Sequence, residues 1–238
     1  MKNKNTNHLI SITFKKGWAK ATYILVAVFI LVAVATRVSI VNEIDDYNSI
    51  NEIRVETVVS DSQIKSQAKS CTKGLEKSQV IVIAAFNGER KSAHYSTLST
   101  MKVERVIKGD KRLVGKSINV YENNAISANK GKLYLRNFTP INLFEDGKEY
   151  LLFLNEFGKY DEDFVDYKNI TLKEFIMADY FASSFCTGET KSKILNKESE
   201  NNIVNYNDFK SSEFIVFSEN QNKIMYDLKS EIIDLYLE

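Results

Sequence analysis

A single apolar run, Ala21 to Ala35, constrains this chain more than any other feature. It holds no charged side chain, and its charged limits, Lys20 and Arg37, leave 16 residues between them. Such a segment has no polar face for water, so its surroundings must be apolar on every side. A bilayer-spanning helix wants about 20 apolar residues, with about 17 as the working minimum. The shortfall closes if Lys20 and Arg37 lay their methylenes along the apolar zone and lift their charges to the headgroups, with Trp18, Val38, Ile40 and Val41 prolonging the span. The expectation is a basic tail over residues 1–20 and a single N-terminal transmembrane signal-anchor helix over 21–41, through which the chain meets the membrane. Basic flanks stay cytoplasmic, which puts the N-terminus inside and the remainder outside the cytoplasm. Ala33-Val34-Ala35 also fits the small-residue rule of a signal-peptide cleavage site, so a secreted, cleaved product is the alternative.

Charge separates the two ends of the chain. Five of the 32 basic residues fall in the first 35 positions and none of the 31 acidic ones does, which leaves residues 36–238 formally at −4. A mildly acidic, mixed surface carries no electrostatic footprint for nucleic acid, and no nucleic-acid partner is expected. Two cysteines, Cys71 and Cys186, are present. Outside the cytoplasm a disulfide between them is chemically permitted, and closing so long a loop stabilises by about 4–5 kcal/mol on the chain-entropy account. Two buried free thiols are the other reading.

Past the apolar run the hydrophobic period changes several times. Residues 42–78 read as a tether, a strand and a helix: Ile53, Val55, Thr57 and Val59 alternate, then Asp61 or Ser62 caps a helix whose Ile64, Ala68, Cys71 and Leu75 form one stripe. Residues 79–238 read as a small β-barrel with a C-terminal helix. Val80–Phe86 is a continuous, β-branched run that ends at Asn87-Gly88, the pattern of a central strand entering a turn. Tyr95–Ile107 follows as a long strand whose alternation slips at Glu104-Arg105, the mark of a bulge that bends a barrel strand. Lys108-Gly109-Asp110 turns the chain; Ile118 with Val120, Leu133 with Leu135, and Glu149–Leu154 mark further strands. Leu172–Phe185 is ambiguous between helix and strand, and Phe214–Phe217 is a short strand. Ile224, Leu228, Ile232 and Leu235 then form one helical stripe. The fold class expected is mainly β with added helices: one transmembrane helix followed by a small OB-like barrel.

Four strings within Gln79–Asn155 support that reading: Ser78-Gln79-Val80-Ile81-Val82, Val103-Glu104-Arg105-Val106-Ile107-Lys108-Gly109-Asp110, Ile118-Asn119-Val120, and Phe144-Glu145-Asp146-Gly147-Lys148-Glu149-Tyr150-Leu151-Leu152-Phe153-Leu154. Together they resemble a bacterial extracytoplasmic OB-fold pattern, similar to netrin-like domains and tissue inhibitors of metalloproteinases. The matching elements are strands and turns, so the resemblance implies fold and not activity. Those inhibitors chelate zinc through an N-terminal cysteine. Cys71 is internal and lies on a helical stripe, so protease inhibition is not implied.

Catalytic patterns are missing. No nucleophile elbow, zinc-binding helix, phosphate loop or dinucleotide glycine motif occurs. His94, the one histidine outside the N-terminal tail, reads as solvated surface. The acidic run Asp161, Glu162, Asp163 with Asp166 lacks the glycine and terminal glutamate of a calcium loop and reads as a solvated loop. No catalytic, cofactor-binding or metal-binding residue is therefore expected. The function expected is a membrane-anchored, extracytoplasmic, non-enzymatic binding domain for a protein or envelope component. The alternatives are a hydrolase working with paired carboxylates and an accessory subunit of a membrane complex.

Overall fold

The computed structural model of the protein describes residues 22–34, 50–55, 60–93, 95–129, 132–157, 172–195 and 203–237. The chain divides into two compact units, Met1–Asp45 and Asp46–Glu238. In the first, residues 22–34 form an α-helix (α1) with every side chain exposed. Its 13 residues at about 1.5 Å each reach about 20 Å, against about 30 Å of hydrocarbon core. No helix among the described residues is long and apolar enough to cross a membrane. The expected transmembrane helix over 21–41 is corrected accordingly. That expectation relied on Val38, Ile40 and Val41 prolonging the helix, and those positions lie outside the described residues.

Among its described residues the second unit is mainly β with two α-helices. A ring of five strands forms its centre: β2 (Val80–Ala93), β3 (Ser96–Lys108), β4 (Ser117–Glu122), β7 (Glu149–Glu156) and β8 (Glu174–Met177). β2 pairs antiparallel with β3 and with β7, β3 with β4, and β7 with β8, while β4 and β8 pair in parallel. These five seams close the sheet on itself, so none of the five strands is left as a bare edge. Between β4 and β7 the chain adds the hairpin β5 (Ala125–Asn129) and β6 (Lys132–Asn137), and β6 takes β1 (Glu52–Val55) as a parallel neighbour. β11 (Ile203–Asn205) completes this second sheet in the order β11-β1-β6-β5. β9 (Ser184–Cys186) pairs antiparallel with β7, and β10 (Lys191–Ile194) pairs in parallel with β12 (Ser212–Val216).

Side-chain parity explains the two continuous apolar runs. On β2, Val80, Val82, Ala84 and Phe86 join Met101, Val103, Ile118, Val120, Leu152 and Phe175 in one core inside the ring. The intervening Ile81, with Leu151 and Phe153 of β7, faces a second core under the helices. Strands buried on both faces read as unbroken hydrophobic stretches. Two helices cover the outer face: α2 (Asp61–Leu75) through Ile64, Ala68, Cys71 and Leu75, and α3 (Glu219–Leu237) through Met225, Leu228 and Ile232.

Local signals explain the ends and bends. Ser60, one residue before the expected cap, starts α2: its Oγ accepts the Gln63 N–H at 3.3 Å, and Gln63 Oε1 accepts the Ser60 N–H at 2.8 Å. This reciprocal pair satisfies two donors that a helix N-terminus otherwise leaves open. The slip at Glu104 is a bulge, since Ile83 pairs with Arg105 and Ala84 with Val103. At Asn87-Gly88, where a turn was expected, β2 continues to Ala93. The register passes from Phe86–Met101 to Arg90–Ser99, so three residues of β2 oppose Thr100 alone. Gly88 sits at φ +84° there, a conformation that absorbs the extra length without a Cβ penalty. In Leu172–Phe185 the ambiguity resolves as strand, β8 and β9. The stripe on α3 is rotated from the expected one, because Met225 is fully buried and Leu235 is 58% exposed.

Candidate functional site

The bulge at Asn87-Gly88-Glu89 carries Arg90 to the junction between the ring and the second sheet. There the Arg90 guanidinium lies 4.4 Å from the centroid of the Phe86 ring and donates through Nη2 to the Phe144 carbonyl. Its Nε is buried and has no hydrogen-bond partner. A buried donor left unpaired costs about 1–3 kcal/mol relative to a paired one.

Behind Arg90, buried polar groups tie the two sheets together. Glu122 ends β4 and is 4% exposed. It accepts from Ser99 Oγ on β3 and, at 2.9 Å, from the Phe144 N–H. Burial pushes its carboxyl above the ordinary value, while the charge of Arg90 and these two donors pull the other way. Asn124 Oδ1 accepts the Phe138 N–H at 2.9 Å. Asn142 Nδ2 donates to the carbonyls of Phe209 and Ser212 at 2.9 and 2.8 Å, and its Oδ1 accepts from Tyr206 Oη at 3.3 Å. Burial raises the Tyr206 phenol to about 12, so it remains a neutral donor.

A cavity of about 210 Å³ opens beside this network. Its interior walls are Ile50, Phe86, Phe144 and Tyr206, each less than 5% exposed. The polar part of its lining is Arg90, Lys210, Glu145 and Asp146, two cations and two carboxylates. Buried apolar walls around a few convergent polar groups are the usual composition of a ligand pocket. We take this opening as the candidate site.

The expected site residues lie elsewhere. Cys71 and Cys186 are both free and buried. Phe185 and Cys186 point to opposite faces of β9, so Cys186 joins the core inside the ring, whereas Cys71 belongs to the core under the helices. Cys71 Sγ donates to the Ala182 carbonyl at 3.0 Å. Burial raises both thiols above the ordinary value, reinforced at Cys71 by the Asp179 charge. Neither lines the candidate site. His94 and the acidic run 161–166 lie outside the described residues. Among the described residues, no group of three or more His, Cys, Asp or Glu side chains could hold a metal ion.

Sequence reasoning passed over Arg90 and Glu122. A signal for Glu122 existed, since it follows Ile118 and Val120 at a period of two and shares their inward face. For Arg90 there was little, because Glu89-Arg90-Lys91 reads as the polar tail of a turn. No protein-family model matches the chain, and no curated protein matches it.

Proposed function

We propose that this chain is a non-catalytic recognition domain built on an OB-type barrel, similar to netrin-like domains, and that it engages a protein or envelope component at the opening beside Arg90. A closed ring of five strands with a crossover is the architecture of OB barrels, and those barrels use the loop between their first two strands in binding. Here β2 and β3 are the first two strands of the ring, and Arg90 stands on β2 just before their connection at residues 94–95.

The observation that carries the proposal is the cavity itself, in which the buried apolar walls Ile50, Phe86, Phe144 and Tyr206 meet the charged side chains Arg90, Lys210, Glu145 and Asp146. Recognition suits this arrangement better than hydrolysis. Glycosidase-type chemistry sets two carboxyl groups on either side of the bond to be cleaved. Glu145 and Asp146 are instead consecutive residues, and both Glu122 oxygens already accept hydrogen bonds.

The test is chemical-shift mapping of the full, isotope-labelled chain against a pool of small fragments. Saturable shifts are expected to converge on Phe86–Arg90, Phe144–Asp146 and Tyr206–Lys210. Shifts that scatter over the surface, or a set of hits centred elsewhere, would overturn the reading.

A further inference from the structure

We infer that the groove between the β3–β4 connection and the entry to β8 binds a small organic anion, with its charge among Arg112, Lys116 and Lys173 and its apolar body against Leu113 and Leu172. This groove shares no lining residue with the opening beside Arg90.

Local sequence builds the groove. After β3, residues 109–116 turn the chain into β4 through a short helical turn, Lys111–Leu113. Asp110 Oδ1 accepts the Arg112 N–H at 3.0 Å to start that turn, and Leu113 joins the core inside the ring. Gly115, at φ +76°, gives its N–H to the Val103 carbonyl at 2.8 Å. The Lys116 N–H reaches the Leu113 carbonyl at 3.0 Å, and the Lys116 carbonyl accepts the Val103 N–H at 2.9 Å. On the other wall the Asn119 N–H holds the Lys173 carbonyl at 3.0 Å. Both walls are thus fixed by backbone hydrogen bonds, which lowers the ordering cost of binding. The groove measures about 590 Å³, within the roughly 300–1,000 Å³ usual for small-molecule sites.

The lining carries three cations, Arg112, Lys116 and Lys173, against one acid, Asp110. Asp110 is already engaged: its two oxygens accept Arg112 Nε at 3.0 and 3.1 Å and Nη2 at 2.8 Å. Lys173 pairs with Glu156, which lies outside the lining. Lys116 is exposed, and no described residue pairs with its ammonium. Lys111, beside Arg112, gives its ammonium to the Val106 carbonyl and not to an acid. With Glu156 and Lys111 included, the cations Lys111, Arg112, Lys116 and Lys173 still outnumber the acids Asp110 and Glu156. These cations are accessible: the Arg112 side chain is 85% exposed and that of Lys173 42%. Between them Leu113, Ile118 and Leu172 supply an apolar surround. An anion with an apolar body therefore meets more of the groove than a bare one.

Phenyl phosphate is the probe. Phenol, benzylamine and inorganic phosphate are the controls, which remove its charge, reverse it, or remove its apolar body. Backbone amide shifts of the full, isotope-labelled chain read binding at the groove itself and separate it from uptake by the exposed apolar helix α1. Phenyl phosphate is expected to shift the amides of Arg112, Lys116, Ser117 and Lys173 saturably, with a dissociation constant on the order of 1 mM, ordinary for about eleven heavy atoms. The controls are expected to bind these residues at least about tenfold more weakly, and added salt to weaken phenyl phosphate through screening. Lys116→Glu alters an exposed side chain and keeps the backbone bonds of its wall, so it should weaken phenyl phosphate about tenfold with the melting temperature unchanged. Lys173→Gln tests the other wall and should weaken it about threefold. Phenol or benzylamine binding as tightly as phenyl phosphate overturns the inference. So does unchanged binding to Lys116→Glu, or the absence of any shift along the groove. None of these outcomes bears on the opening beside Arg90.

Discussion

Lys229→Met is the sharpest stability test of how α3 is fastened to the β-structure. Lys229 Nζ donates to Glu213 Oε2 on β12 at 2.7 Å, with the two side chains 12% and 3% exposed. It also reaches Thr190 Oγ1 at 3.0 Å and the Gly188 carbonyl at 3.1 Å. Glu213 additionally accepts the Cys186 N–H at 2.9 Å and the Thr190 hydroxyl. Removing one partner of a buried pair strands the other charge and costs about 3–5 kcal/mol. The two remaining donors to Glu213 place this case at the lower end, about 3 kcal/mol. In a domain of this size that lowers the melting temperature by about 6–12 °C. The assay is urea unfolding of the full chain followed by far-ultraviolet circular dichroism, with calorimetry for the midpoint. Glu213→Gln combined with Lys229→Met removes the stranded charge and should recover about half of the loss. A cost below about 1 kcal/mol, the range of exposed ion pairs, would refute the reasoning, as would a double variant no better than the single one.

Three further outcomes are expected. Burial raises the Glu122 carboxyl in the folded state, so its contribution to stability is greatest in acid and falls as pH rises through the folded value. Glu122→Gln should therefore gain on the wild type as pH rises above the ordinary carboxylate range in paired urea melts, and a pH-independent difference would contradict this. A thiol reagent without reductant should label neither Cys71 nor Cys186 in the native chain and both in urea, since both are free and buried. No labelling in urea would indicate a disulfide, and rapid native labelling would contradict the burial. Gly74→Ala should destabilise although alanine favours helix by about 1 kcal/mol. The new Cβ would meet Asp179 Oδ2 at 2.8 Å, and Asp179 is held by the Phe181 N–H at 2.8 Å; a rise in melting temperature would show that the loop yields.

Much of the second unit was legible because its signals are local or periodic. The bulge at Glu104 and the buried stripe of α2 followed from apolar spacing alone. The turn expected at Asn87-Gly88 failed for a physical reason. Glycine with φ above zero serves a bulge as well as a turn, and only the pairing of Arg90 with Ser99 across the hairpin decides between them. The candidate site was poorly legible for the same reason. Arg90, Glu122, Phe144 and Tyr206 come from four separate stretches of chain and meet only once the ring and the second sheet are in place. At the N-terminus, hydropathy marked the apolar residues correctly, but their helical length depends on positions that hydropathy does not settle.

Closure of the ring, through the β2–β7 and β4–β8 seams, is what makes this sheet a barrel. Backbone nuclear Overhauser contacts across the parallel seam of β4 and β8 measure it. Cross-strand contacts are predicted for Val120 with Phe175 and Tyr121 with Ile176, alongside those for Val82 with Leu152 on the β2–β7 seam, with slow amide exchange at both. Contacts at the β2–β7 seam, but none across β4–β8, where the amides exchange fast, would mean an open sheet and would contradict the account.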